Sequence, residues 1–238
     1  MNEQLLKLYS SKWDNLSSAI NRIIEDEDLD IKPANPLLIH IDSEEDWKNA
    51  DIRLMFFGQE TNRWCGEWSD ESNPGRPGMD YVQGIYDVFF NKEGCWSYGG
   101  QFWNGVSRFI KLLHEKYPDK KISLIWNNIV KIGKENDKGL PPDYIYEVER
   151  EHFSIIKDEL EITKPNIVLF LTGPNYDNII KDNLGQVEFL AGTPYPERQI
   201  SRIFIDEIPF AFRTYHPNYL WRNDIDDFFN AIINQINL

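Results

Sequence analysis

The sequence predicts an α/β fold, a three-layer α/β/α sandwich around a central parallel sheet of four strands. Three observations predict it. Four apolar runs rich in β-branched and aromatic residues, 52–57, 122–126, 167–171 and 210–215, have little polar alternation, as strands covered on both faces require. Amphipathic helical segments separate the runs, and strands that alternate with helices form parallel crossovers. Each run ends in polar residues, which sets those groups at the sheet edge where open α/β sheets bind ligands.

In chain order, Leu5, Tyr9, Trp13, Leu16, Ile20 and Ile24 recur every three or four residues, the spacing of one face of a packing helix. Glu25-Asp26-Glu27-Asp28 is read as a solvated turn rather than a metal site. Lys32-Pro33-Ala34-Asn35-Pro36 breaks regular structure before Leu37–Ile41, where His40 is read as a satisfied core histidine. Asp42-Ser43-Glu44-Glu45-Asp46-Trp47 has the pattern of a capped short helix. The first strand, Ile52–Phe57, stops at Gly58, where a turn would set Gln59, Glu60, Asn62 and Arg63 at its carboxyl end.

A long irregular region, 65–101, follows, rich in glycine and aromatic residues and including Asn73-Pro74-Gly75-Arg76-Pro77-Gly78. It is expected to form an ordered wall or lid. Phe102-Trp103-Asn104 opens a helix through Leu113; its two aromatic rings either join the core or stack on a flat ligand. The second strand, Ile122–Trp126, ends in Asn127-Asn128, and an Asn side chain offers the donor and acceptor that an imide or amide edge needs. An amphipathic helix is expected from Val148 to Ile162. The third strand, Ile167–Leu171, runs into Thr172-Gly173-Pro174-Asn175 and a helix through Ile179 and Ile180. A hairpin-like or irregular stretch covers 185–206. The fourth strand, Phe210–Tyr215, leads into His216-Pro217-Asn218-Tyr219-Leu220, and a last helix spans Asp224 to Ile236.

At 238 residues the chain fits one domain, with 1–50 as an N-terminal helical extension packed on it. No basic segment followed by an apolar one opens the sequence, and no apolar run approaches membrane-spanning length, so a cytoplasmic protein is expected, acting as a monomer without membrane contact. Cys65 and Cys95 are too few for a metal site built from cysteine and are read as packing residues. The net charge of −14 opposes a protein that grips long nucleic acid with its whole surface and leaves a protein partner open. The charge is uneven: residues 1–50 hold five basic against eleven acidic groups, whereas 195–222 hold four arginines against three acids, which tolerates a phosphate-bearing ligand. No Walker loop, G-x-G-x-x-G or G-x-S-x-G signature is present, which lowers the standing of nucleotide hydrolases, dinucleotide enzymes and serine hydrolases.

Five strand-end features, in order, resemble the uracil-DNA glycosylase superfamily over about residues 50–238. Gly58-Gln59-Glu60-Thr61-Asn62-Arg63 is similar to its G-Q-D-P-Y-H motif, and Phe102 or Trp103 stands where an aromatic precedes a helix. Leu124-Ile125-Trp126-Asn127 is similar to L-L-L-N, Val168–Gly173 to V-F-L-L-W-G, and His216-Pro217-Asn218 to an H-P-S loop.

The resemblance implies a nucleobase-recognising N-glycosidic hydrolase acting on a damaged or deaminated base in single- or double-stranded DNA or in a smaller nucleotide. It implies no metal, iron–sulfur cluster or other cofactor. A flipped base would stack on Phe102 or Trp103, Asn127 would read its Watson–Crick edge, and His216 would face a base carbonyl. Glu60 would stabilise the oxocarbenium-like sugar, and backbone N–H groups around Gly58 and Gly173 would hold base or phosphate oxygens. Tyr219 or Leu220 would wedge into the emptied stack. Thr61 and Asn62 replace the Pro-Tyr pair, so uracil specificity is not implied, and Glu60 is one methylene longer than the family's Asp. A positive rim of Arg63, Arg76, Arg198, Arg213 and Arg222 would favour nucleic acid. The alternative is a non-catalytic module on the same fold that binds a base, nucleotide or protein.

Overall fold

The computed structural model describes residues 1–26, 28–66, 68, 79–185 and 187–238. The chain is α/β. In order its elements are α1 (Asn2–Glu25), β1 (Pro33–Pro36), α2 (Glu44–Asn49), β2 (Ile52–Asn62), α3 (Met79–Tyr86), a π-helical turn (Asp87–Asn91), α4 (Gly94–Tyr98), α5 (Gly100–Lys116) and β3 (Ile122–Lys134). There follow α6 (Asp143–His152), α7 (Ile156–Thr163), β4 (Ile167–Phe170), a 3₁₀ turn (Pro174–Tyr176), α8 (Asp177–Leu184), β5 (Glu188–Ala191), β6 (Ile200–Phe204), β7 (Phe210–Thr214), α9 (Pro217–Leu220) and α10 (Ile225–Ile233). No helix among the described residues is long and apolar enough to cross a membrane.

The sheet is mixed and has seven strands in the order β1-β3-β2-β4-β7-β6-β5. This corrects the expectation of four parallel strands. The parallel part is present: Leu54–Phe57 pair with Ile167–Phe170, which pair with Phe210–Arg213, and all four β4 residues are buried. The additions are antiparallel, β5 on β6, β6 on β7 and β1 on β3. Periodicity missed β1 because two of its four residues are prolines; the hairpin-like reading of 185–206 is borne out by the antiparallel pairing of β5 with β6.

Two strands run further than expected. β2 continues through Gly58 to Asn62, so Gln59, Glu60 and Asn62 are strand residues and Gly58 makes no turn there. β3 continues through Asn127 and Asn128 to Lys134. A glycine or amide interrupts a pattern of apolar letters, but it does not interrupt a ladder whose neighbouring strand continues. The irregular region is also more regular than its composition suggests, being helical over most of 79–98, while the Asn73–Gly78 stretch and Arg76 lie outside the described residues. The helix expected at 148–162 is two, α6 and α7, separated at Phe153–Ile155.

Contacts divide the chain into two compact units. The first comprises 1–42, 59–92 and 128–163; the second comprises 43–58, 93–127 and 164–238, so the division crosses β2 after Gly58 and β3 after Asn127.

The first unit is built round α1, whose Leu5, Tyr9, Trp13, Leu16 and Ile20 are buried, the face the spacing predicts. Its interior also holds charge. Lys131 of β3 and Glu159 of α7 form an ion pair at 2.7 Å with both side chains out of solvent, and Tyr9 donates to the same carboxylate at 2.7 Å. Glu149 of α6 is buried beside them and accepts from the Lys131 and Ile132 amides at 2.9 and 2.8 Å. His40 is not a core residue. It is half-buried and Nδ1 lies 2.7 Å from the Asp87 carboxylate, which Asn91 also contacts. A hydrogen bond to Asp87 gives His40 a polar partner at the edge of this apolar run.

The second unit holds the parallel ladder. Ser43 caps α2 by accepting from the Asp46 amide, as its pattern predicts. Asn166 joins two strand beginnings, accepting from the Arg53 amide and donating to the Asp51 carbonyl, both at 2.8 Å.

In the first unit Gly133 donates to Thr61 Oγ1 at 2.7 Å, and a Cβ at 133 would lie 1.9 Å from the Thr61 carbonyl oxygen. Gly133→Ala therefore forces β3 from this contact. It is expected to cost about 1–3 kcal/mol and lower Tm by about 2–10 °C. Gly84→Ala, with open space at its Cβ position inside α3, is expected to be neutral or to raise Tm, because alanine favours helix by about 1 kcal/mol over glycine. Thermal unfolding followed by circular dichroism separates the two.

Candidate functional site

The second unit assembles its polar and aromatic groups where β7 leaves the sheet. Gly99 and Gly100, at φ 73° and 88°, adopt left-handed backbone that suits glycine and swing the chain from α4 into α5. Phe102 and Gly105 then lie one turn apart on α5. A Cβ on Gly105 would sit 2.4 Å from Pro217 Cβ, so only glycine lets α5 approach the loop after β7 this closely. Trp221 Nε1 donates to the Gln101 carbonyl at 3.2 Å and ties the far end of α9 to the start of α5.

The result is an aromatic stack on His216. The Phe102 ring lies 5.7 Å from the imidazole at an interplanar angle of 25°. His216 precedes Pro217 and caps α9, its Nδ1 accepting from the Asn218 amide at 3.1 Å. That bond assigns the ring proton to Nε2, and the neutral imidazole presents one N–H donor. Burial lowers the imidazole pKa to about 4. His216 is thus neutral at physiological pH, a hydrogen-bond donor rather than a cation.

The residues proposed from sequence fall into three sets. Phe102 and His216 are brought together. Asn127 lies in β3 with no exposed surface, its amide donating to Met55 Sδ at 3.9 Å. Trp103 is a core residue rather than a stacking platform, packed edge-on to Phe56 at 6.1 Å, Trp96 at 5.7 Å and Trp126 at 5.1 Å. Gly173 has φ 80°, but its N–H donates to the Thr214 carbonyl at 2.9 Å and so serves the β4–β7 connection rather than a ligand oxygen. Asn218 contributes its amide to His216. Tyr219 is exposed and packs on Tyr215 at 4.2 Å, whereas Leu220 is fully buried, which removes it as a wedge.

Gln59, Glu60, Asn62 and Arg63 belong to the first unit. Gln59 and Glu60 are half-buried, Asn62 and Arg63 exposed. Arg63 has φ 54° and donates to the Asn136 carbonyl at 2.7 Å. Of the arginines expected on a rim, Arg213 points inward. It is fully buried and holds Asp177 through Nε and Nη2 at 2.8 Å each, with Nη1 on the Arg198 carbonyl and Nη2 also on Ser201. Burial still leaves Asp177 above the usual carboxylate range.

Both cysteines carry thiols that burial pushes up to about 12, consistent with packing rather than nucleophilic roles. No group of three or more His, Cys, Asp or Glu side chains among the described residues is placed to hold a metal ion. Sequence reasoning missed Gly105 and Gln101. The signal for Gly105 was present, a glycine in mid-helix one turn from an aromatic residue, which marks a close approach. No protein-family model matches the chain, and no curated protein matches it in sequence.

Phe102→Ala is expected to admit water to the imidazole and raise the His216 pKa from about 4 towards 6.5, because burial is what lowers it. An NMR titration of the His216 ring in both proteins reads the change. For stability the sign is the reverse of the usual histidine. The folded state binds the proton less tightly than the unfolded one, so the His216 contribution is intact above pH ~6.5 and fades as the pH falls towards 4.

Proposed function

We propose that this chain is a uracil-DNA glycosylase-like protein on a three-layer α/β/α sandwich that recognises a nucleobase and hydrolyses its N-glycosidic bond. The observation that carries the reading is the neutral His216, stacked on Phe102 with its N–H on Nε2. Breaking the bond between C1′ and the base nitrogen leaves positive charge on the sugar and negative charge on the departing base. A neutral N–H donor aimed at a base carbonyl stabilises that anion as charge develops, without needing to be protonated first. Water adds to C1′, the base leaves and takes up a proton, and an abasic site remains.

The resemblance gives Glu60 the complementary task of stabilising the oxocarbenium-like sugar and orienting water. Asn127, the amide the resemblance assigns to the base edge, has no exposed surface and donates to Met55, so it is not carried into the proposed site. With Trp103 in the core, Phe102 is the ring that remains for stacking, and it carries His216 on one face.

Charge supports a nucleic-acid substrate better than the whole-chain value suggests. The first unit holds twelve basic against twenty-three acidic residues, the second thirteen against sixteen, so the unit that bears His216 is close to neutral. Electrostatic repulsion of phosphate is correspondingly weak there.

The test is base release at low salt from single- and double-stranded oligonucleotides carrying uracil, hypoxanthine, xanthine or an oxidised pyrimidine, scored by alkaline cleavage at the abasic site. Release is expected from at least one substrate, reduced ~100-fold or more in Glu60→Gln and in His216→Ala. The His216 contribution is expected to stay constant above pH ~5, since the imidazole is already neutral there. No release from any substrate, or variants as active as the parent, would overturn the reading.

A further inference from the structure

The two ends of the strand order are finished differently. At one end β1 carries Pro33 and Pro36 and a register shift between them, devices that blunt an edge. At the other end β5 pairs with β6 in unbroken register, from Glu188 opposite Phe204 to Ala191 opposite Ser201, and no strand lies beyond it among the described residues. β5 holds no proline and no lysine, and its one charge is Glu188.

One hydrogen bond sets the direction of each backbone group on this edge. Gly192 donates to the Ile200 carbonyl at 2.8 Å, and antiparallel pairs alternate between bonded and non-bonded. Gly192, Leu190 and Glu188 therefore turn their N–H and C=O groups towards β6, while Phe189 and Ala191 turn theirs outward. The side chains are exposed yet held. Leu190 and Phe204 are 43% and 50% exposed and share one sheet face with Arg202 and Glu188, because opposite residues and residues two apart do so. Arg202 lies over the Phe204 ring at 5.5 Å, and on the other face Lys181 and Arg213 lie 5.3 and 5.9 Å from the Phe189 centroid.

We propose that β5 is a docking edge for β5 of a second copy of this chain, the two strands running antiparallel about a two-fold axis at Leu190. That axis sets Phe189 opposite Ala191 of the second copy and Ala191 opposite its Phe189, so the outward N–H and C=O groups meet in four hydrogen bonds. Leu190 faces its own copy in the close, non-bonded position. Phe189 lies against the small Ala191, and Glu188 against Gly192, which has no side chain, so the two Glu188 carboxylates stand ~13 Å apart along the strands. An axis at Phe189 would instead set those carboxylates on a diagonal of ~7–8 Å and phenylalanine against phenylalanine. Charge and volume both select Leu190. A foreign strand would have to supply this complement, whereas the chain's own copy already carries it. Four backbone bonds make a small interface of the weak, transient class, with a dissociation constant on the order of 100 µM. The inference does not rest on the function proposed above.

Sedimentation equilibrium between ~10 µM and ~1 mM tests it, the mass being expected to rise from 28.1 kDa towards twice that value. Ala191→Pro removes an outward N–H without touching the bonds to β6, and Leu190→Lys sets two ammonium groups face to face. Both variants are expected to stay at the monomer mass while keeping the parent's Tm at ~10 µM. Leu190→Cys supplies the register independently: on air oxidation it is expected to give a disulfide-linked dimer at least ~10-fold faster than Phe204→Cys, whose side chain is as exposed but lies one strand further in. A mass that stays at 28.1 kDa up to ~1 mM would overturn the proposal. Dimers that survive both substitutions, or Phe204→Cys linking as fast as Leu190→Cys, would overturn it too, since the contact would then lie elsewhere.

Discussion

A guanidinium with no exposed surface sits one residue before the end of β7, and the second unit is arranged so that it can. Burying an unpaired arginine is prohibitive, and removing one partner of such a pair typically costs about 3–5 kcal/mol. Arg213 is instead met by both Asp177 oxygens, the Arg198 carbonyl and the Ser201 hydroxyl. Those partners lie at the start of α8, in the connection before β6, and in β6. Satisfying one side chain thus fixes three segments against β7. Thr214 adds its hydroxyl bond to the Gln199 carbonyl and accepts the Gly173 amide. The chain that emerges, Tyr215-His216-Pro217, leaves from a root with little freedom.

What that root supports is an imidazole whose chemistry is set by its neighbours. Phe102 covers one face, the Asn218 amide occupies Nδ1, and Gly105 lets the helix bearing Phe102 come close enough to do both jobs of packing and stacking. Each contact is individually small. Together they cover one face of the ring and hold the proton on Nε2, the arrangement a hydrogen-bond donor to a developing anion requires. A charged histidine here would need a counter-ion, and burial removes that need by keeping the ring neutral.

The framework was legible from sequence where apolar letters cluster. Ile52–Phe57, Ile167–Leu171 and Phe210–Tyr215 all lie in or on the parallel ladder, and the spacing from Leu5 to Ile20 marks the buried face of α1. It was not legible where polar letters are buried. Arg213 was expected on a rim, and Lys131, Glu149 and Glu159 carry no local sign of burial because their partners are remote in sequence, Tyr9 and Glu159 being 150 positions apart. For the site, His216-Pro217 and Phe102 carried enough local signal. The extension of β2 past Gly58 did not, because a strand ends where its neighbours end and no single residue announces that.

In the proposed function the His216 N–H, held on Phe102, is the donor a nucleobase meets. An oligonucleotide carrying 2′-fluoro-2′-deoxynucleotides of the candidate bases is the direct probe, since the fluorine destabilises positive charge at the sugar and the glycosidic bond survives while binding is observed. Nitrogen-15 NMR of the histidine rings during its titration is expected to shift the His216 Nε2 resonance, with His40 unmoved and the shift lost for an oligonucleotide of normal bases. Binding that shifts other resonances but leaves His216 Nε2 in place would contradict the claim.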